Sequence, residues 1–284
     1  MDNFIDELNE QQKEAVTTTE GYVRIIAGAG TGKTKALTYR YAYLVDELGI
    51  STSNILCVTF TNKAAREMSK RIRQMIGDSD MGYICTFHGF CVKLLREDIH
   101  AINYPQNFVV MDSEDTEDIL KTVYENAHIQ SRTYTFDSAR DHITAMKSQM
   151  LHMPYLAEIG NEKLLADYEK AEKVEDKVFL GYLYEQKKVY GLDYDDLITI
   201  ALHILQTDES KRVKWQERMM YIMVDEFQDV SGNQYELAEI LSGYHRNLFI
   251  VGDPDPAERD LPHHGRPLRP ACGQDLDQRV CRHA

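Results

Sequence analysis

YVRIIAGAGTGKT, Tyr22 to Thr34, joins a short β-rich run to a loop of spaced glycines and then to a helical stretch from Lys33 to about Leu48. A strand that passes into a helix through glycines is the setting a phosphate-binding loop requires. Gly28, Gly30 and Gly32 let backbone N–H groups turn inward around phosphate oxygens, and the helix N-terminus adds a favourable dipole. Lys33 offers a point charge to the β and γ phosphates of a nucleotide, and Thr34 offers a hydroxyl to magnesium. With Ala29 and Thr31 completing the loop, Ala27 to Thr34 forms the candidate cradle, although Ala27 stands where the GxxxxGK[S/T] template has glycine. Taken alone, these residues also suit a glycine-rich turn in an ordinary β-turn-α unit.

Outward from the loop the same rhythm repeats. ILCVTF (Ile55 to Phe60) reads as a buried strand, Asn62 to Ile76 as a helix, and YICTF (Tyr83 to Phe87) as a third strand before another helix. Strands alternating with helices imply an α/β fold with a parallel sheet. From about Ser113 to Glu209 the pattern changes to long helical segments, and strand signals return at Tyr221 to Glu226 and Asn247 to Asp253. The expected organisation is one α/β domain over residues 1–110 and 210–255, with an all-helical domain inserted at 111–209.

VDEFQD, Val224 to Asp229, weighs against the ordinary-turn reading. An apolar strand ending in adjacent carboxylates aims Asp225 at a magnesium ion and Glu226 at the water that attacks a γ-phosphate, with Gln228 as a further polar group at the same strand end. In an open parallel sheet the carboxyl ends of the strands form the ligand crevice, so Thr34 and Asp225 are expected to converge.

Composition narrows the classes. The 284 residues are 43% hydrophobic and 27% charged with mean hydropathy -0.45, the profile of a soluble globular chain. No window carries the roughly 18 uninterrupted apolar residues of a membrane span, the N-terminus is acidic and polar, and the five cysteines form no CxxC pair. These features point to the cytoplasm and to no membrane partner. Cys85, His88 and Cys91 make a CxxHxxC string whose spacing suits packing better than zinc. A net charge of -14 confines polyanion binding to local patches, of which Thr61 to Arg73 is the strongest, with Lys63, Arg66, Lys70, Arg71 and Arg73 against Glu67 alone.

Read motif by motif, the chain resembles the N-terminal portion of a UvrD/PcrA/Rep-type superfamily 1 DNA helicase. LNEQQKEAV (Leu8 to Val16) is similar to the family's Q motif, AGAGTGKT to motif I, VTFTNKAAREM (Val58 to Met68) to motif Ia and TFHGF (Thr86 to Phe90) to motif Ib. LDYDDL (Leu192 to Leu197) resembles the segment before motif II, VDEFQD motif II, and VGDPD (Val251 to Asp255) the start of motif III. The resemblance implies a RecA-like sheet, ATP and Mg2+ as cofactors, 3′-to-5′ movement, and single-stranded DNA and DNA junctions as partners. It makes Gln12 a reader of the adenine edge and places Thr59, Phe60, Thr61, Asn62, Lys63, Thr86 and His88 on the DNA, a role that suits a stacking face and hydroxyl and amide donors. Lys35 stands where relatives commonly carry an adenine-stacking arginine, keeping the cation without the planar face. A P-loop kinase or GTPase would leave DEFQD and TFTNKAA without a role.

After Asp255 the likeness stops, and PAERDLPHHGRPLRP replaces the expected glutamine and aromatic-rich continuation. Pro254 to Ala284 holds five of the seven prolines and no aromatic residue, which predicts a disordered tail over 256–284, foreign to the family through a frameshift or a cloning scar. On that reading the alternative function is a remnant that binds nucleotide or DNA without productive turnover.

Overall fold

The computed structural model describes residues 4–28, 30–77 and 81–254, so Ala29 and the tail at 256–284 lie outside the described residues. Seven strands follow in order among the described residues: β1 (Tyr22–Ile26), β2 (Ile55–Val58), β3 (Tyr83–Cys85), β4 (Val109–Val110), β5 (Gly191–Leu192), β6 (Tyr221–Val224) and β7 (Leu248–Gly252). Five of them form one sheet in the order β1-β7-β6-β2-β3, and every neighbouring pair is parallel. The three inner strands are buried along their whole length, whereas the edge strands are mostly half-buried. That is why ILCV, YIMV and LFIV are continuous apolar runs with no alternation: both faces of an inner parallel strand are covered.

The described residues also form twelve α-helices: α1 (Glu10–Thr17), α2 (Lys33–Asp46), α3 (Asn62–Ile76), α4 (Phe87–Asp98), α5 (Ser113–Asn126), α6 (Phe136–Ser148), α7 (Met153–Leu156), α8 (Glu162–Lys170), α9 (Val174–Lys188), α10 (Tyr194–Thr207), α11 (Glu209–Arg218) and α12 (Gly232–Ser242). The described residues fall into two compact units, one taken from the segments up to Thr86, Trp215–Ser231 and from Ala238 onward, the other from Phe87–Lys214 and Gly232–Leu237.

In the first unit Leu37, Tyr41 and Leu44 of α2 and Met68 and Ile72 of α3 close over Ile55, Cys57, Met223 and Val251 of the sheet. Strands end one or two residues sooner than their apolar runs suggest. β2, β3 and β6 stop just before the polar residues Thr59, Thr86 and Asp225, of which Thr59 and Asp225 still donate their backbone N–H to the neighbouring strand. The expected helix over Asn62 to Ile76 is present with those limits, started by the Thr61 hydroxyl, which accepts from the Ala64 N–H at 3.1 Å.

The second unit packs Leu120, Ile143, Leu164, Phe179 and Leu183 from four helices into one core. It also contains the two-residue parallel ladder β4·β5, too short to announce itself by alternation. At its centre Lys147, fully buried on α6, donates to Asp193, to Asp196 at 2.8 Å and to Gln186 at 3.3 Å. Tyr182 donates to the same Asp193 oxygen at 2.7 Å, and Gln186 donates to Asp196. Burial alone would push the Lys147 ammonium down, but the two carboxylates outweigh it and hold it above its ordinary value. His152, also fully buried, is held down to about 3 by burial and then by the Lys147 charge.

Removing one partner of such a cluster leaves buried charge uncompensated, so Lys147→Met is expected to cost about 3 to 5 kcal/mol in a urea titration. His152 gives the acid side of the same cluster. The unfolded imidazole takes its proton near the ordinary histidine value while the folded one stays neutral down to about 3, so stability falls as pH is lowered through that window. His152→Gln should therefore lose less melting temperature between neutral and mildly acid pH than the parent does.

Candidate functional site

All five strands of the sheet run the same way, so their carboxyl ends share one edge, and the loop after β1, the acids after β6 and β7 and the residues after β2 all emerge there. The loop after β1 returns into α2 through Gly30 and Gly32, whose φ values of 79° and 92° favour glycine. Ala27 is not in that conformation and is buried, which explains why an alanine is accepted where the template has glycine. A Cβ on Gly32 would stand 2.7 Å from Gln12 Nε2, which itself donates to the Thr31 carbonyl at 3.1 Å. Gln12 also closes the capping box of α1 with Asn9, so the Q-motif glutamine is tied to both helix and loop.

Lys33 reaches back across the loop. Its ammonium donates to the Ala27 carbonyl at 2.8 Å, to the Gly28 carbonyl at 3.2 Å and to Asp253 just beyond β7. Lys35 donates to the Glu7 carbonyl at 3.0 Å and lies over the Tyr39 ring, 5.1 Å from its centre, while Tyr39 donates to the Glu7 carboxylate.

At the end of β6, Asp225 is buried and lies beside Thr34, whose hydroxyl donates to Asp225 Oδ2 over 3.4 Å. Its other oxygen, Oδ1, is buried with no hydrogen-bond partner. Burial, and then the neighbouring Glu226, push the Asp225 carboxyl up to about 6. A buried oxygen without a donor beside a hydroxyl is a hard-oxygen pair that fits a small divalent cation, and such an ion would supply the missing charge compensation. Glu226 has a left-handed backbone, φ 51°, a costly conformation for a side-chain-bearing residue. Gln228 donates to its carboxylate at 2.8 Å and accepts the Asp253 N–H at 2.9 Å, so one amide links the ends of β6 and β7.

After β2 the ring of Phe60 is 64% exposed, the only such ring beside a strand end of this sheet among the described residues. Thr61, Asn62 and Lys63 follow it onto the surface, whereas Thr59 and Thr86 are buried. Because Thr61 Oγ1 accepts a backbone N–H, its O–H proton remains to be donated outward. His88 belongs to the second unit, in the first turn of α4. There its ring meets the 51%-exposed Tyr194 edge-on at 5.3 Å, and burial keeps it below its ordinary pKa.

Lys33, Thr34, Asp225, Glu226 and Gln228 are thus brought together in the first unit with Gln12, Gly28 and Gly30 to Gly32. Two residues were missed by sequence reasoning. Asp253 repeats the signal of Asp225, an acid directly after an apolar strand, and Tyr194 lies within the quoted LDYDDL.

A family model described as the UvrD/REP helicase N-terminal domain matches residues 8–257. The chain is 37% identical over 256 residues to an ATP-dependent DNA helicase PcrA of Staphylococcus aureus, covering 90% of this chain and 34% of that protein. It is 36% identical over the same length to the protein of that name in Staphylococcus epidermidis, again with 90% and 34% covered. The chain therefore spans about a third of the length of the curated relatives it matches.

Gly32→Ala tests the loop geometry. A Cβ there meets both a left-handed φ and the Gln12 amide, so the substitution should destabilise by about 1 to 3 kcal/mol in thermal or urea unfolding. Gly28→Ala, whose Cβ would meet nothing within 4 Å, should unfold like the parent.

Proposed function

Because the chain belongs to the UvrD/REP helicase N-terminal domain family, we propose that it is the ATP-binding half of a DNA helicase: it binds ATP with Mg2+ and, as part of the complete protein, hydrolyses it to move 3′-to-5′ along single-stranded DNA, engaging DNA junctions. The observation that carries the reading is the buried, partnerless oxygen of Asp225 next to the Thr34 hydroxyl, on the sheet edge that also holds Lys33 and Phe60. In family terms the sheet would be the 1A domain over residues 1–110 and 210–255, and 111–209 the inserted 1B domain. A chain of this design works in the cytoplasm.

The residues divide the work. Loop N–H groups from Gly28 to Gly32 cradle the phosphates, and Gln12 and Lys35 stand at the base end. Lys33 is already stripped of much of its water by two carbonyls, and an incoming γ-phosphate competes with Asp253 for it. Magnesium, when bound by Thr34 and Asp225, supplies a Lewis acid for the phosphate oxygens. Glu226, half-buried and fixed by the Gln228 amide, orients and deprotonates the attacking water, with Gln228 acting through it as a positioning residue. Phe60 stacks a base while Thr61, Asn62 and Lys63 hold the adjoining phosphates, and His88 and Tyr194 add a second aromatic contact from their own unit.

Calorimetry with a non-hydrolysable ATP analogue and Mg2+ tests the nucleotide half. Lys33→Ala removes a charge-assisted bond worth about 1.5 to 3 kcal/mol, so affinity should drop roughly ten- to a hundredfold. Asp225→Asn should abolish the dependence of affinity on Mg2+ while leaving the metal-free affinity in place. Equal, Mg2+-dependent binding by parent and both variants would remove the assignment. Phe60→Ala should weaken binding of oligothymidylate by about 1 to 3 kcal/mol, read as anisotropy, without changing nucleotide affinity.

A further inference from the structure

Along α3 runs an open groove of about 840 Å³, bounded on its far side by Ile84 and Cys85 of the edge strand β3. Arg66, Lys70 and Arg73 line it at helical spacings of four and three, which puts them on one stripe about 10 Å long. Asn62, Ser69 and Gln74 add amide and hydroxyl groups, and no acid lines it among the described residues.

The three cations are exposed, and none makes an ion pair or hydrogen bond among the described residues. Several cations elsewhere are paired. Lys121 pairs with Glu117 and Asp118, Arg140 with Glu117 and Asp137, and Lys163 with Asp167. In a chain with 46 acids against 32 lysines and arginines, three unpaired cations on one stripe lined by no acid among the described residues make a local excess of positive charge.

The lining also separates two kinds of nucleic acid. Single strands are held by aromatic platforms that stack unpaired bases, and this groove has no aromatic ring, in contrast to Phe60 with its exposed face. A surface of cations and neutral donors without a ring reads phosphates alone, which is what a paired strand offers when its bases are turned inward. The stripe begins on the helix that Phe60 precedes by two residues and leads away from that ring.

We propose that the α3 groove, through Arg66, Lys70 and Arg73, binds the phosphate backbone of duplex DNA, as a surface separate from the single-strand contact at Phe60. The proposal rests on the reading above that the chain acts on DNA. It adds a duplex contact supplied by this unit and independent of sequence.

The test uses the full chain with a short blunt DNA duplex, an oligothymidylate and labelled poly-glutamate as probes, followed by anisotropy over rising salt. The triple variant R66Q/K70Q/R73Q should bind the duplex about tenfold or more weaker, with a slope of log affinity against log salt shallower by about 2 to 3. It should keep oligothymidylate affinity and the parent's melting temperature, since the three side chains are exposed. Phe60→Ala should do the reverse, losing oligothymidylate and keeping the duplex. Unchanged duplex affinity and slope in the triple variant would overturn the proposal, as would a parent that binds no duplex at low salt. An equal loss of both DNA probes would overturn the choice of duplex, and poly-glutamate bound by the groove as tightly as the duplex would make it a protein-docking face instead. Loss of oligothymidylate binding in Phe60→Ala with no effect of the triple variant leaves the single-strand reading standing and removes only this one.

Discussion

The parallel pairing of β1, β7, β6, β2 and β3 is the constraint on which the site depends. Were one of these strands reversed, its carboxyl end would lie at the opposite edge, and an acid or a glycine loop would be removed from the crevice. Parallel pairing is possible only because each strand returns through a crossover, and it is tolerated in the middle of the sheet only because apolar side chains cover both faces. The buried runs of β2, β6 and β7 therefore do more than fill a core. They hold Asp225 against the Thr34 hydroxyl from a distant part of the chain, at the bottom of a loop whose shape is set by two glycines.

Two treatments of charge follow. Where charge is buried, it is met by opposite charge: Lys147 donates to Asp193, Asp196 and Gln186, and Tyr182 donates to the same Asp193 oxygen, although Asp196 Oδ1 is left without a hydrogen-bond partner. Where a ligand is expected, opposite charge is lacking: Asp225 is hydrogen-bonded by the Thr34 hydroxyl and by no cation among the described residues, and the cationic face of α3 is lined by no acid. In a low dielectric a carboxylate without a cation is costly, and burial accordingly pushes the Asp225 carboxyl up to about 6.

How much of this was legible in the sequence depends on the range of the interaction. The loop, the adjacent acids of VDEFQD and the helix from Asn62 to Ile76 are local patterns, in which a residue's neighbours in the chain decide its conformation, and they were readable with nearly the limits found. Phe60, at the end of the apolar run, is a candidate through the resemblance to the helicase family, to which its ring adds a stacking face. The engagement of Lys33 by Asp253 was not, since it depends on β7 pairing with β1, and pairing order is a property of the whole sheet. The Lys147 cluster was equally hidden: a lysine in an amphipathic helix looks like a solvated one until α9 and the start of α10 are seen around it. The β4·β5 ladder, two residues a side, carries no periodicity at all.

Gln228 has a consequence of its own. One side-chain amide gives its N–H to Glu226 and takes the backbone N–H of Asp253, while Asp253 holds Lys33. These bonds form a single linkage running from the ammonium in the loop, through the turn after β7, to the carboxylate at the end of β6. A single planar amide thereby fixes the spacing between the ends of β6 and β7.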